Sequence, residues 1–338
     1  MALDSDEFIK NEVFESVGEP GNSKLRIFQQ TSNFDHKDIS DGGLTFNYKN
    51  LTYGSCDAMW YVEDSFHYIG LNKDISIKPV LALEGTDCLS RGSNGNAQYQ
   101  RFHHALGAVK NNILGVYYLK EGDSKVQEDL YYMAYQASQI EKGTYLILQD
   151  LNIVKEILQL NSKPELQKIL IQQQLKKMNE NWSKKFKEQY NNSWDVFAQK
   201  RSTVIFPSSI IKVTGRNFRN FTESSQRAGH IAVGEMYLSK YFFPEKKLYY
   251  VFPRMSLVEK SKLDSNKNNK EWSLLRGEEN VEIITRDEII GLDSEILKLF
   301  EELSDKPLKG SFVSVHNKLK NQLLDLFKKN LISISNQR

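Results

Sequence analysis

KPVLALEGTDCLSRGSNGNAQYQRFHHALGAVKNNILGVYYLK, residues 78–120, is the stretch that decides the fold. Val80, Leu81, Ala82 and Leu83 form an apolar run too short for a helix, and it stops at Glu84. Such a run reads as a buried strand with an acid at its carboxyl end. A Gly/Ser/Asn loop follows over 91–96, and then Phe102, Ala105, Leu106 and Val109 recur at helical spacing. Residues 113–119 supply a second apolar strand. Glu84, Asp87, Arg91, Gln98, Gln100 and Arg101 crowd one junction of this strand–loop–helix–strand unit. An apolar core has no need of them there, so this junction is the candidate active site.

Working outward, a short amphipathic helix is predicted over 6–16, with Phe8, Ile9, Val13 and Phe14 on one side and Gly-Glu-Pro-Gly behind it. Strands are predicted over 25–29, 44–48 and 58–62, with a polar loop over 33–43 and a turn at Asn50. Beyond the central unit, 126–141 reads as a helix with Leu130, Met133, Ala134 and Ala137 inward, and 144–148 as a strand. The pattern predicts an α/β or mixed α+β fold: a mixed central sheet flanked by helices, with a helix-rich C-terminal half. The division expected is 1–160 for the core and 161–338 for a basic, helix-rich part, with continuity between the two left open.

In that second part 164–190 is one long helical pattern rich in Gln, Lys and Asn, and 224–241 is another helix. Strands are predicted over 203–206, 210–213, 248–252 and 281–285. The charged, Asn-rich run 260–271 reads as a flexible loop, and helices are expected near 287–303 and 310–329. No solenoid-type repeat is present.

The 338 residues suffice for a sizeable core, and 40% hydrophobic with 26% charged residues is a globular composition. No apolar run approaches a membrane span, and the acidic start MALDSDEFIK lacks an export signal, so a cytoplasmic protein is expected. Two cysteines, Cys56 and Cys88, cannot build a disulfide framework. The net charge of +2 says little, but its distribution is uneven. Residues 1–60 carry ten acids against five Lys/Arg, and 163–219 carry twelve Lys/Arg against four acids. Acids gathered for a metal and bases for phosphate give this pattern; so does a solvated basic helix.

Asp57 and Glu84 stand 27 positions apart, each at the edge of a predicted strand, with a connection long enough to let the strands pair. Two carboxylates meeting at a strand edge form the hard oxygen site that Mg²⁺ takes. Here the chain resembles the PD-(D/E)XK nuclease superfamily, in which an Asp precedes a strand ending in Glu-x-Lys and leading into a helix. Cys56-Asp57 matches the Pro-Asp half and Glu84-Gly85-Thr86 the Glu-x-Lys half, over about residues 50–120. The run GSNGNAQYQRFHHALGAV, 92–109, also resembles type II restriction endonucleases. The resemblance implies a sequence-specific, Mg²⁺-dependent endonuclease of double-stranded DNA, acting as a homodimer, with Asp57 and Glu84 as metal ligands.

The chain departs from that family at Thr86, which stands where the family has a lysine that positions or activates the water. Thr86 can hold a water by hydrogen bond but brings no charge. Lys78 lies six residues before Glu84, roughly 20 Å away along a strand, too far to substitute. Gln98, Gln100 and Lys110 are the alternatives, with Gln100 taken as the catalytic one. DNA contacts are expected from Arg91, Ser93, Asn94, Asn96, Gln98, Arg101 and His104. The plain alternative is that Asp57 caps a turn and Glu84 pairs with Arg91 or Arg101.

Arg216, Asn217, Arg219, Ser225 and Arg227 make a second constellation at a predicted helix start. Arg matches guanine edges, Asn and Gln match adenine edges, and helix amino ends hold phosphate. A basic loop capped by Thr222 or Ser224 explains the same residues. Several chemistries are excluded. His103 and His104, adjacent on a helix, point about 100° apart and are not expected to chelate one ion together. His230 and Glu235 lack the His-Glu-x-x-His spacing, Gly92–Asn96 lacks a P-loop lysine, and Ser90 and Ser93 form no nucleophile elbow. The other readings that remain are a non-catalytic DNA-binding protein and a protein without a nucleic-acid role.

Overall fold

The computed structural model describes residues 5–27, 45–63, 77–86, 98–99, 101–120, 127–222 and 227–288, with 321 and 324–325. Its elements run α1 (Ser5–Ser16), β1 (Lys24–Ile27), β2 (Thr45–Tyr48), β3 (Leu51–Ser55), β4 (Ala58–Glu63), β5 (Ile77–Thr86), α2 (Phe102–Lys110), β6 (Leu114–Leu119), α3 (Glu128–Ile140) and β7 (Tyr145–Leu148). They continue α4 (Leu151–Gln159), α5 (Pro164–Tyr190), α6 (Trp194–Lys200), β8 (Thr203–Ile205), β9 (Ser209–Val213), α7 (Arg219–Thr222), α8 (Arg227–Phe242), β10 (Lys247–Phe252), α9 (Leu257–Ser265), α10 (Lys270–Gly277) and β11 (Val281–Thr285). The fold is mixed α+β, as the sequence predicts. The polar loop expected over 33–43 and most of the two C-terminal helices fall outside the described residues.

The chain forms two compact units, residues 1–189 with 233–242, and residues 190–232 with 243–338. Residue 160, the division expected from sequence, lies inside the first unit. The long helix α5 belongs with that unit because its inward residues pack there. Met178 Sδ accepts from Ile147 N at 3.4 Å, and Trp182 stacks among Tyr132, Phe186 and Phe242.

The first unit is built on a five-stranded sheet in the order β1-β4-β5-β6-β7. β5 lies at its centre, antiparallel to β4 and parallel to β6, and β6 is parallel to β7. The burial of β5 explains its place. Its first residues alternate between buried and open, whereas Leu81 through Thr86 are buried on both faces. A strand covered on both sides reads as a continuous apolar run, and this one is interrupted only by Glu84 and Thr86. Pro79, which has no N–H to give, stands where the β4–β5 register shifts.

Two strand–helix–strand crossovers, β5-α2-β6 and β6-α3-β7, place the carboxyl end of β5 beside the start of α2. That start is tied down twice. Tyr145 Oη donates to Phe102 O at 2.7 Å, and the two rings stack at 4.3 Å. On its other side α2 meets the β2–β3 hairpin, where Asn111 Nδ2 donates to Asn47 O at 2.9 Å. The hairpin turn uses Lys49 and Asn50, both at positive φ. Strand β3 itself, with the polar Thr52, Gly54 and Ser55, is an element the sequence pattern hides.

The second unit has a four-stranded sheet, β11-β10-β9-β8, in which β9, β10 and β11 are parallel and β8 is antiparallel to β9. So the C-terminal half is not simply helix-rich; its predicted strands assemble into a sheet of their own. The flexible loop expected over 260–271 is instead the end of α9 and the start of α10. Ser256 and Glu259 form a reciprocal capping box, Asn269 caps α10, and Leu263, Trp272, Leu274 and Leu275 are buried. The polar residues that suggested a loop are largely helix caps and solvent faces. Lys260 is buried and donates to Ile283 O and to both carboxylate oxygens of Glu288.

Candidate functional site

Register and charge together define the site. β4 and β5 pair with Ala58 opposite Leu83, so one step further along the ladder sets Asp57 opposite Glu84. Asp57 Oδ2 accepts from Gly85 N at 2.7 Å, which fixes the aspartate against the end of β5. Both acids are buried, with side chains 7% and 2% exposed. The strand pairing expected from sequence is therefore present, and it brings the two carboxylates to one edge.

Buried carboxylates need compensation. The start of α2 supplies it. Arg101 Nη1 donates to Glu84 Oε1 at 3.2 Å and to Gly85 O at 3.0 Å, and stands 3.7 Å from Asp57 Oδ2. His104 Nδ1 lies 3.2 Å from the other oxygen, Glu84 Oε2. Arg101 and His104 are three residues apart, the spacing that puts two side chains on one face of a helix. Both are expected DNA contacts, and Arg101 is also the Glu84 partner of the plain alternative; the structure shows that Arg101–Glu84 pair and sets His104 beside the same carboxylate. The i, i+3 spacing is visible in the sequence, but not that His104 would land on Glu84 as well.

Cys56 completes the floor of the site. It is fully buried, its Sγ is 3.5 Å from His104 O, and burial, then the charges of Glu84 and Asp57, push its thiol pKa well up. The Tyr145 phenol is likewise raised by burial first, and then by Tyr117, Cys56 and Glu84. Thr86, two residues beyond Glu84 on the same strand, is buried, and its carbonyl accepts from Lys120 N at 3.0 Å.

Two candidates for the water-positioning role are committed elsewhere. Gln98 is buried; its Oε1 accepts from Gln127 N at 2.8 Å and its carbonyl from Tyr117 Oη at 2.9 Å. It holds the entry to α3. Lys110 donates to Glu141 at 2.9 Å and lies near the Tyr48 and Tyr53 rings. Gln100, Arg91, Ser93, Asn94 and Asn96 lie outside the described residues, as does Ser225.

In the second unit Asn217 and Arg219 sit at the start of α7. Asn217 Oδ1 accepts from Arg219 N, and Asn217 N donates to Asn220 Oδ1. Arg216 is half-buried just before them, with its N–H donating to Thr214 Oγ1 at 3.3 Å. Arg227 opens α8. Asn217 thus has its carbonyl oxygen engaged in a local turn, which limits the bidentate adenine reading expected of it. Arg254 was not anticipated. Its Nη1 donates to Gly215 O at 3.4 Å, and Asn217 and Arg254 form a parallel bridge, so it pins this loop.

The acids offer hard oxygen donors of the type Mg²⁺ prefers. Glu84 Oε1, Gly85 O and Asp57 Oδ2 all converge on the single position held by Arg101 Nη1, a point where positive charge is accommodated. That convergence fits a divalent cation. Among the described residues no helix is long and apolar enough to cross a membrane. No family model, curated protein or solved structure matches this chain.

Proposed function

We propose that this protein is a Mg²⁺-dependent endonuclease of double-stranded DNA of the PD-(D/E)XK type, a cytoplasmic restriction enzyme acting as a homodimer. One observation carries the reading. Asp57 and Glu84 come together at the end of a central strand that leads into a helix, and their oxygens converge on one cationic point. This is the arrangement that the Asp…Glu-x-Thr resemblance implies. Asp57 and Glu84 would hold Mg²⁺, which when bound polarises the scissile phosphate and lowers the pKa of a water.

The chain's own residues do the rest. Gly85 N orients the Asp57 carboxylate, and Arg101 holds Glu84 Oε1 while His104 Nδ1 stands 3.2 Å from Oε2. The apolar layer behind them, with the buried Cys56, excludes water from the back of the site. Residues 163–219 carry the basic excess, and Lys168, Lys176, Lys177, Lys184 and Lys187 on α5 are exposed, placed for backbone phosphate contacts. That exposed basic face also favours the second reading, DNA binding without cleavage.

A digest of plasmid and phage DNA with Mg²⁺, wild type beside Glu84→Ala and Glu84→Gln, separates the two. Discrete bands that vanish in both variants, with DNA binding retained, support the nuclease and its site. Intact DNA with tight, salt-sensitive binding supports the second reading. No cleavage and no binding by the folded wild type would sink both.

A further inference from the structure

The carboxylate site contains a cation of its own. Arg101 Nη1 touches Glu84 Oε1 and Gly85 O and lies 3.7 Å from Asp57 Oδ2. A divalent cation held by the same oxygens would sit about 2.0–2.6 Å from each. The guanidinium nitrogen and the metal would then claim one position, and two cations cannot share it. One must leave, and only Arg101 has a route. Its side chain is 18% exposed against 7% and 2% for the acids, and its backbone sits at the amino end of α2, held by the Tyr145–Phe102 bond next door. Rotation of the side chain alone carries the head toward solvent.

Resting on the metal-site reading above, we infer that Arg101 exchanges partners. It neutralises Asp57 and Glu84 in the metal-free protein, yields its place to the divalent cation, and pairs with the phosphate being cut. Thr86, where the resembled family has a lysine, is uncharged, and Lys110 is bound to Glu141. Among the described residues Arg101 is then the permanent cation that replaces that lysine. A guanidinium suits the task because its fork matches a phosphate as well as a carboxylate. Because the same side chain opposes metal and grips phosphate, metal and DNA must promote each other's binding through it.

The test uses Mn²⁺ as the probe, followed by the electron paramagnetic resonance signal of the free ion, on full-length wild type, Arg101→Gln and Arg101→Lys. Arg101→Gln is expected to bind Mn²⁺ at least tenfold more tightly than wild type, to gain more in Tm from Mn²⁺, and to lose at least a hundredfold in cleavage. Arg101→Lys keeps a competing cation and falls between them. Equal or weaker Mn²⁺ binding by a folded Arg101→Gln, beside clear binding by wild type, overturns the exchange and leaves the metal site standing. No Mn²⁺ binding by either folded protein removes the metal site and the exchange together. Should Arg101→Gln not fold, the wild type alone decides. Mg²⁺ is expected to shift the Arg101 side-chain ¹⁵N resonances, and resonances that stay in place while Mg²⁺ binds overturn the exchange.

Discussion

The imidazole of His104 rests directly on the backbone of Gly54, so that a Cβ at position 54 would stand 2.5 Å from its Cδ2. Gly54 also has φ +93°, a conformation L side chains rarely adopt. The β2–β3 hairpin therefore sets the position of the residue that touches Glu84 Oε2.

Gly54→Ala should destabilise the protein by about 1–3 kcal/mol, combining backbone strain with a forced shift of the ring. Urea denaturation gives the value, with an unchanged m showing that unfolding remains of the same extent. If the protein is the nuclease proposed, cleavage should fall as well, since His104 can no longer lie against the glutamate. Full stability in this variant would mean that the ring is not seated there.

Cys56 is expected to be inert in the native protein. Iodoacetamide at pH 8 should leave it unmodified until urea is added, as mass spectrometry of tryptic peptides would show. Its raised pKa also has a sign for stability. The folded state keeps the thiol proton where the unfolded chain releases it, so stability is full below the ordinary cysteine pKa. It declines as pH rises from there toward the higher folded value. Cys56→Ala should flatten part of that alkaline decline; the buried Tyr145 phenol, also raised, contributes at higher pH.

On the acid side the second unit should respond through Glu288. Burial alone would raise its carboxyl. Hydrogen bonds from Lys260 and from the Thr285 N–H and hydroxyl, with the Lys260 charge, outweigh burial and hold it below the ordinary glutamate value. Its contribution is present above the unfolded pKa and is lost as pH falls through the lower folded one. Glu288→Gln should cost about 2 kcal/mol at pH 7, where Lys260 keeps its burial but loses its counter-charge, and much less near pH 3. Denaturation midpoints at the two pH values check it; equal losses at both would contradict the pairing.

If α5 binds the DNA backbone, Lys176→Gln with Lys184→Gln should weaken binding to any duplex alike. Each lost phosphate contact should reduce the slope of log K against log salt by about 0.9. Fluorescence anisotropy at several salt concentrations measures this, and an unchanged slope would take these lysines off the interface.

Much of the fold was legible in the sequence. The helix expected over 164–190 is α5 to the residue, and the strands on either side of α2 fall within a few positions of their apolar runs. Those elements announce themselves because burial on one or both faces imposes a period. Five of the described helices did not. α4, α6 and α7 are short, and α9 and α10 are disguised by Lys, Asn and Ser that serve as caps and outer faces. The meeting of Asp57 with Glu84 followed from strand pairing, which local pattern can suggest. The sequence already offers Arg101 as a partner of Glu84, but that His104 closes on the same glutamate depends on the angle at which α2 leaves the strand end. Tyr145 and Gly54 bear on that angle from distant parts of the chain, and no local spacing encodes it.

The first unit is discontinuous, since residues 233–242 belong to it although residues 190–232 intervene. Gly234 fits so closely over Tyr99 that a Cβ there would stand 2.3 Å from the Tyr99 carbonyl oxygen, just before the helix that carries Arg101. Tyr241 Oη, from the same late segment, donates to Glu141 at 2.8 Å, and Phe242 packs on Tyr132 and Trp182. A ribosome must therefore deliver more than forty residues of the second unit before the first can be sealed. A fragment stopped at residue 189 would expose the face that Gly234, Tyr241 and Phe242 cover. The first unit is not a piece that can be cut free at residue 189.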